Sequence, residues 1–448
     1  MAQEQITRRL ARYVLESRFE DIPENVRHEA KRSLVNFLGV TIGGAHHEAV
    51  EIALAALDEF SGPRTATLLG RAEKMDILHA SLVNGIASTV LDFDATQYKL
   101  TNIHPSGLVL PAFLALAERT PISGAELMHT FLLGVEVECR LANVIFGKNN
   151  PGWHVSGAVG GIGAAAGAGR MLGLDEDHLT RAFGIAATQP GGIREMYGTM
   201  CKSFTPGRAC QNGLASALLA GKGFGSSEAA IEAPMGFAKV LMNVTELDGL
   251  TENLGTEFEI MFNMYKPFAC AIVLHPIIDG CIQLRNEHDL EADQIKSVAL
   301  RVNPNVVKLA GRENPDKGLL AKFSFSHATA LALVHGAAGE PQFTDALAND
   351  PVLGKLRQRV TATVEDDIVK DSCHIKITLT NGTVLDRHIP HAIGSLENPM
   401  SDQDLEDKFL SLVEPALGVD AAKRLVGLCW EADTLDDAAD IARATVKN

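Results

Sequence analysis

The sequence predicts a mainly α-helical protein: a large all-helical domain formed by residues 1–265 and 400–448, and a smaller α/β domain formed by residues 266–399. Three observations predict this division. Apolar residues recur at helical spacing throughout the first segment, where strand patterns are almost absent. Alternating patterns typical of strands appear in the middle segment, and helical spacing returns from Asp402 onward, which makes the large domain discontinuous. A chain of 448 residues also exceeds the usual size of a single core.

Most predicted helices of the first segment begin at a proline or a polar capping residue. We predict helices from Asp21 to Gly39, Lys74 to Ser88, Ser123 to Val144, Asp175 to Ala187 and Arg208 to Ala220. The uncharged run of residues 155–169 is mostly Gly and Ala and is too short to span a bilayer. This composition predicts a helix that packs closely against its neighbours.

The middle segment contains the strand patterns. Residues 295–302 and 360–364 alternate like half-buried strands, and Asn381-Gly382 separates two further alternating runs, which predicts a β-hairpin over residues 374–388. Residues 324–335 predict a helix between these strands. After Asp402, helices are predicted over 421–429 and 435–446, and we expect them to rejoin the helical domain.

Composition and charge limit the class of protein. A hydrophobic content of 46% with 21% charged residues predicts a soluble globular protein, and 5% aromatic residues with 40 glycines predict a closely packed aliphatic core. A net charge of −16 argues against a nucleic-acid partner. An anionic substrate would need a locally basic pocket in this acidic protein.

The predicted location is the cytoplasm. Residues 1–5 lack the charged-then-apolar pattern of a signal peptide, and no segment predicts a membrane span. The seven cysteines, an odd number without a CxxC pair, fit a reducing compartment and argue against disulfides or a cysteine-held iron–sulfur cluster.

The strongest functional signal is the segment from Leu91 to Gly107, which places Asp92, Asp94 and His104 between two predicted helices. Pro105 suits a first helical position, so His104 would lie at a helix N-terminus, where the helix dipole favours an anion. The segment is therefore a candidate for acid–base chemistry. On this segment alone, a carboxylate that only orients a structural histidine is an equally good interpretation.

Three further segments share this polar and basic character. His154 precedes the Gly/Ala helix, Lys202 lies in a glycine-bounded loop before the helix predicted from Arg208, and Lys266 and His275 open the smaller domain. Taken singly, such a histidine is more often structural, and such a lysine is more often a solvated charge. Four such loops together favour a common site.

Several catalytic motifs are missing. The sequence has no HExxH metal motif, no GxSxG elbow and no P-loop match near residues 311–317. The run Gly161–Gly167 follows no predicted strand, so it favours helix packing over dinucleotide binding. Metal, nucleotide and acyl-enzyme chemistry are therefore disfavoured, and no metal ligand is predicted.

Together the motifs resemble those of the MmgE/PrpD family, which includes 2-methylcitrate dehydratase, cis-aconitate decarboxylase and iminodisuccinate epimerase. The matching motifs span nearly the whole chain: Asp92-Phe93-Asp94, His104-Pro105-Ser106, Gly152-Trp153-His154, Gly198-Thr199-Met200-Cys201-Lys202, Gly207-Arg208-Ala209, and Lys266-Pro267-Phe268 with His275. The resemblance implies a helical domain with a smaller α/β lid domain, a homodimer, and catalysis without a cofactor.

The resemblance also implies site residues. By motif, the catalytic positions are Asp92, His104, His154, Lys202 and His275. We expect substrate contacts from Thr96, Ser106, Tyr197, Thr199, Ser203 and Lys266. The site would lie between the two domains and take a small polycarboxylate.

Some positions depart from the family pattern. Asp94-Ala95-Thr96-Gln97 stands where dehydratases have Asp-Asp-Thr-His, and the loop from there to His104 is longer than in decarboxylases. No tyrosine lies near residues 306–309, where decarboxylases carry one, and Asn149-Asn150 replaces a tyrosine of the epimerase. None of these departures favours a single member of the family.

Three functions therefore stay open. The first is a cofactor-independent lyase, a dehydratase or decarboxylase, that moves a proton next to a carboxylate of a citrate- or aconitate-like acid. The second is an epimerase or isomerase of a dicarboxylate such as iminodisuccinate. The third is a helical protein that binds small acids without catalysis.

Overall fold

The computed structural model describes residues 5–447, and the mainly helical fold with a minor sheet region is confirmed. Within these residues, the first part of the chain contains the helices α1 (Ile6–Glu16), α2 (Glu24–Gly44), α3 (Glu48–Leu57), α4 (Ile77–Val90), α5 (Pro105–Ala117), α6 (Gly124–Phe146), α7 (Val155–Met171), α8 (Glu176–Ala187), α9 (Cys201–Ala220) and α10 (Phe237–Met242). Its strands are two residues long: β1 (Ala66–Thr67), β2 (Lys74–Met75), β3 (Thr96–Gln97) and β4 (Asn263–Met264). The side chains of Asp76, Ser123 and Asp175 each accept a hydrogen bond from a backbone N–H of the first turn of α4, α6 and α8, which confirms the cap predicted at Ser123.

One helix boundary was predicted wrongly. Helix α9 begins at Cys201 and not at Arg208, so Lys202 lies in its first turn and not in a loop. Pro206 lies near the start of this helix, where a proline removes only one backbone hydrogen bond. The Thr199 hydroxyl accepts a hydrogen bond from the Cys201 N–H and starts the helix earlier.

The Gly/Ala run forms α7, which packs between α5, α6 and α9. A Cβ atom at Gly167 would lie 2.1 Å from the Phe113 ring, and a Cβ at Gly163 would lie 2.5 Å from the Glu138 carboxylate. Only glycine permits these close approaches, which confirms that the run serves helix packing. No helix among residues 5–447 has the length and apolar character needed to cross a bilayer.

The middle part of the chain holds a four-stranded sheet in the order β6-β5-β7-β8. Its elements are α11 (His275–His288), β5 (Ile295–Val302), α12 (Pro304–Ala310), α13 (Gly318–Ala321), α14 (Phe325–His335), α15 (Asp345–Ala348), α16 (Pro351–Arg357), β6 (Val360–Val364), β7 (Cys373–Leu379) and β8 (Val384–Ile389). β5 pairs with β6 in parallel and with β7 antiparallel. The predicted hairpin is confirmed: β7 and β8 pair antiparallel, and Gly382 in the turn has a φ of 90°.

The last helices are α17 (Asp402–Leu417), α18 (Val419–Trp430) and α19 (Ala439–Arg443). α17 packs against α2, where the backbone of Phe409 approaches Gly39, and this packing supports the proposed discontinuous domain. α19 is shorter than predicted. Its expected first turn instead bonds to the chain before α6, through the Leu435 carbonyl to Gly124 and the Ala438 N–H to Ile122.

Candidate active site

The acidic pair lies directly after α4. Leu91 ends this helix, and Asp92 follows with a φ of 51°, a left-handed conformation that is unusual for a residue other than glycine. The following strand β3 pairs with β4, with Thr96 opposite Met264, and this pairing brings Lys266 close to Asp92. Asp92 and Asp94 are both buried. Two carboxylates are thus held in the interior, where each requires a cationic partner.

Lysines supply that charge to Asp92. Lys202 Nζ, from the first turn of α9, lies 2.8 Å from Asp92 Oδ1 and 3.9 Å from Asp94 Oδ1. Lys266 Nζ lies 3.4 Å from Asp92 Oδ1 and donates to the Asp92 carbonyl at 2.9 Å. Both lysines are buried. The structure therefore brings three sequence-predicted residues, Asp92, Lys202 and Lys266, into one ionic cluster.

His104 is the partner of Asp94. It is the N-cap residue of α5, as predicted, and its Nδ1 lies 2.9 Å from Asp94 Oδ2. Thr96 Oγ1 also lies 3.3 Å from this nitrogen, and the His104 N–H donates to Ser156 Oγ at 3.2 Å. Asp94 favours a proton on Nδ1, which leaves Nε2 with an available lone pair. This is the geometry of an oriented general base.

His154 approaches the same centre from the N-terminus of α7. Its ring centroid lies 6.5 Å from that of His104 and 5.4 Å from that of Tyr197. Burial, reinforced by Lys202 and His104, lowers the pKa of His154 well below its ordinary value. His154 is therefore neutral in this environment.

Charge pairing decides the protonation of the cluster. Burial alone would raise the pKa of Asp92, but Lys202 and Lys266 hold it below its usual range. Burial also opposes ionisation of Asp94, and His104 and Lys202 lower its pKa. The pKa of Lys202 is raised, because the two carboxylates outweigh its desolvation. Lys202 is consequently an ammonium ion and not a neutral base.

Two connected spaces lie beside this cluster. A small inner cavity of about 20 Å³ is lined by Asp92, Asn102, His104, Tyr197, Lys202, Lys266, Ala271, Ile272, Val273, Leu309 and Phe323. An outer cleft of about 840 Å³ includes Trp153, Arg194, Glu195, Lys308 and Arg312 in its lining. Tyr197 and Leu309 line both spaces and form the partition between them.

The charges of the two spaces differ. Lys202 and Lys266 line the inner cavity, but both pair with Asp92, so this cavity alone is not the basic pocket expected from the sequence. In the outer cleft, Arg194, Lys308 and Arg312 face a single acid of the lining, Glu195. Among residues 5–447, none of these three cations has a carboxylate partner within 4.0 Å, and the buried Nε of Arg194 has no hydrogen-bond partner. The basic region thus lies in the outer cleft.

The remaining predicted residues lie around the cavity and not in its lining. His275 is the first residue of α11, and it lines a separate small pocket with Tyr98 and Lys370, behind the Ala271–Val273 wall. Burial lowers the pKa of His275 to about 3. Thr199 and Ser203 line another small pocket beside Lys202.

Thr96 and Ser106 are buried and do not line the inner cavity. Thr96 contacts the His104 ring, as described above, and has a supporting role there. The Ser106 hydroxyl has no hydrogen-bond partner among the described residues. These serine and threonine side chains were expected to contact the substrate directly, and this contact stays a prediction.

Sequence reasoning missed several residues of the site. Asp94 stood in the quoted motif, and its spacing of two residues from Asp92 could have indicated a second carboxylate in the cluster. Arg194, Leu309 and Phe323 carry no motif that would have distinguished them. Their place in the site depends on tertiary packing.

Residues with metal-ligand geometry lie elsewhere. Asp371, His391 and Glu397 have ligand atoms within 4.8 Å of one another, and His391 Nδ1 lies 2.7 Å from Asp371 Oδ2. At the inner cavity, both acids already face ammonium or imidazole nitrogens. This donor set favours acid–base chemistry over metal coordination.

Comparison with known proteins identifies the family. The model of the MmgE/PrpD N-terminal domain matches residues 8–249, and that of the MmgE/PrpD C-terminal domain matches residues 268–432. Cis-aconitate decarboxylase of Homo sapiens is 27% identical over 93% of this chain and 89% of its own length. Cis-aconitate decarboxylase of Aspergillus terreus is 24% identical over 93% and 91% of the two chains. The mitochondrial 2-methylcitrate dehydratase of Yarrowia lipolytica is 25% identical over 48% of this chain and 45% of its own. Because both domain models match in chain order, this protein belongs to the MmgE/PrpD family of enzymes.

Proposed function

We propose that this protein is a cofactor-independent lyase that acts on an aconitate- or citrate-like polycarboxylate. The observation that carries the proposal is the His104–Asp94 pair, which lies beside the ionic cluster of Asp92 with Lys202 and Lys266. The relatives that match over most of the chain are named decarboxylases of such an acid. The pair supplies a base and the cluster supplies fixed charge, the two requirements of proton transfer next to a carboxylate.

His104 is the proposed proton carrier. Its Nδ1 is engaged by Asp94, so its Nε2 is the nitrogen that can exchange a proton with substrate carbon. In a dehydration, this nitrogen takes the proton from the carbon next to the carboxylate. The hydroxyl group accepts a proton from an acid and leaves as water. In a decarboxylation, carbon dioxide leaves and the electrons of the broken carbon–carbon bond stay on the remaining substrate carbon. A protonated His104 then delivers a proton to that carbon.

Lys202 and Lys266 are the proposed stabilisers of negative charge. Either reaction develops enolate-like charge on a carboxylate, and fixed ammonium groups in a buried site stabilise that charge without reorganisation. Lys202 stays charged because of its carboxylate partners, and it lines the cavity with His104. Asp92 holds Lys202 in place, and neutral His154 is the proposed second proton-transfer group.

The substrate is proposed to enter from the outer cleft. The inner cavity has room for about one water molecule, so a six-carbon acid requires Tyr197 or Phe323 to move aside. The unpaired cations of the cleft favour a molecule with several carboxylates over a neutral one. This charge arrangement supports a di- or tricarboxylate as the substrate class.

The test is incubation of the purified protein with four- to seven-carbon di- and tricarboxylates, followed by mass spectrometry and proton NMR in deuterated buffer. Loss of water or carbon dioxide, abolished in His104→Gln and retained in His178→Gln, would support the proposal. Deuterium uptake with inversion and no mass loss would indicate the epimerase alternative. Binding without any product would indicate a non-catalytic protein. Light scattering of the same sample tests the proposed homodimer.

A further inference from the structure

We infer that Lys322 and Lys408 are positioning residues that hold the Asp92 backbone in its active conformation, an inference that rests on the proposed function. Three consecutive carbonyl groups after α4 each accept a hydrogen bond from a different lysine. Lys322 Nζ donates to the Leu91 carbonyl, Lys266 Nζ donates to the Asp92 carbonyl at 2.9 Å, and Lys408 Nζ donates to the Phe93 carbonyl at 2.7 Å.

These lysines come from distant parts of the chain. Lys322 follows α13 in the middle part, Lys266 follows β4, and Lys408 belongs to α17. All three are buried, with exposed fractions of 2%, 1% and 8%. Because burial of an ammonium group is costly, such lysines are kept only where their hydrogen bonds are well satisfied. Their convergence on residues 91–93 therefore indicates a specific role for that backbone.

The C-terminus of α4 explains why cations gather there. The last carbonyls of a helix have no partners within the helix, and they carry the negative end of its dipole. Lys202 Nζ also lies 3.4 Å from the Thr89 carbonyl, so lysine amino groups cover the whole helix end. Asp92, in its left-handed conformation, turns the chain at this point. The lysines stabilise this turn by binding its carbonyl groups.

The turn sets the direction of both catalytic carboxylates. Asp92 points to Lys202, and Asp94, two residues later, points to His104. A rotation of the peptide between Leu91 and Phe93 would move both carboxylates from their partners at once. Lys322 and Lys408 touch neither the inner cavity nor the outer cleft, so they act through the backbone and not on substrate.

Each positioning lysine also connects the turn to a second element. Lys322 Nζ lies 2.5 Å from Glu340 Oε2 in the middle part of the chain. Lys408 Nζ donates to Asn36 Oδ1 at 2.8 Å and to the Lys266 carbonyl at 2.9 Å. The geometry of the active centre thus depends on how α2, α17 and the middle part pack together.

The test compares Lys322→Met and Lys408→Met with the control variant Lys31→Met. The half-buried Lys31 ammonium lies 2.7 Å from Asp433, and Lys31 is distant in sequence from the turn. We expect kcat to fall roughly tenfold to a hundredfold in the first two variants, with KM changed less, because small misplacement of catalytic groups is costly. Lys322→Arg should restore part of the rate. Glu340→Gln should cost less than Lys322→Met, since the bond to the Leu91 carbonyl remains.

The pH dependence of kcat is a second readout, because substitution of a merely structural lysine would leave it unchanged. When Asp92 turns away, Lys202 keeps its desolvation but loses the carboxylate that raises its pKa. The alkaline limb of kcat should therefore move to lower pH in Lys322→Met. An alkaline limb and kcat equal to those of the wild type would overturn the inference.

Amide hydrogen exchange tests the inference without any substrate. Exchange of the amides of residues 91–95 should be faster in Lys322→Met and Lys408→Met, and unchanged in Lys31→Met. Unchanged exchange in all three variants would overturn the inference. An inactive wild-type protein that still shows the exchange difference would reject the proposed lyase and leave the positioning role supported.

Discussion

Asp94 Oδ2 lies 2.9 Å from His104 Nδ1, and the two residues flank the short strand β3. The other acid of this segment, Asp92, pairs with Lys202. One segment thus separates two tasks: Asp94 orients the base, and Asp92 fixes the charge of Lys202. The two carboxylates share a common interior, but each has its own partner: Asp92 faces the Lys202 ammonium and Asp94 faces the His104 imidazole.

Asp94→Asn should keep the fold but lower kcat by about a hundredfold or more. An amide can turn either its oxygen or its nitrogen toward His104 Nδ1, so it no longer fixes the tautomer of the imidazole. The measurement is the turnover of the best polycarboxylate, with circular dichroism as a check of the fold. Asp175→Asn is the matched control, since Asp175 lies 2.7 Å from His178 in an exposed pair. Equal rates in Asp94→Asn and wild type would show that His104 needs no carboxylate.

The outer cleft gives a prediction about salt. Arg194→Gln combined with Arg312→Gln should lower kcat/KM at low ionic strength by about tenfold, with kcat nearly unchanged, because cations in a cleft attract a polyanion before it reaches the reacting centre. The difference should shrink at high salt as the charges are screened. Arg64→Gln is the control, since Arg64 is paired with Asp58 elsewhere on the surface. The same salt dependence in the double variant and the wild type would reject the role of the cleft.

Glu138 gives a prediction about stability and pH. Its carboxyl is fully buried, neither oxygen has a partner among residues 5–447, and burial raises its pKa well above the ordinary value. The unfolded state releases this proton near pH 4.3 but the folded state retains it, so the stability present below that pH falls as the pH rises toward the folded pKa. The expected cost is about 1.4 kcal/mol for each pH unit in this window.

Glu138→Gln removes this ionisation and should raise the melting temperature near neutral pH, with a smaller gain near pH 5. Differential scanning calorimetry across that range is the measurement. Glu246→Gln, at an exposed pair with Lys148, should show no such pH dependence. A gain in Glu138→Gln that is the same at all pH values would mean that the native carboxyl does not titrate as proposed.

The close packing of α7 predicts opposite results for two of its glycines. Gly167→Ala places a Cβ 2.1 Å from the Phe113 ring and should cost about 1–3 kcal/mol of unfolding free energy. At Gly161 the nearest atom to an added Cβ is 3.7 Å away, so Gly161→Ala should be neutral or stabilising. Urea denaturation of both variants decides the point, and equal stabilities would contradict the packing described for this helix.

The helices, the hairpin and the N-terminal caps could be predicted because they depend on local spacing and on single capping residues. The positions of Asp92, His104, His154 and Lys202 in one site could be expected from the family motifs. The early start of α9 could not, since Pro206 is equally typical of a break and of an early helical turn. The contacts of Lys322 and Lys408 could not be predicted either. In sequence, neither lysine belongs to a motif, and only packing between segments more than 200 residues apart brings it to the Asp92 turn.

The hydrogen bond from Lys408 to the Phe93 carbonyl has a practical consequence for dissecting this molecule. A fragment that ends near residue 265 would contain most of the proposed catalytic side chains, yet it would lack all three lysines that donate to the carbonyls of residues 91–93. We therefore expect catalysis to require the intact polypeptide. Attempts to graft or shorten this enzyme must carry α17 and the middle part of the chain along with the histidines.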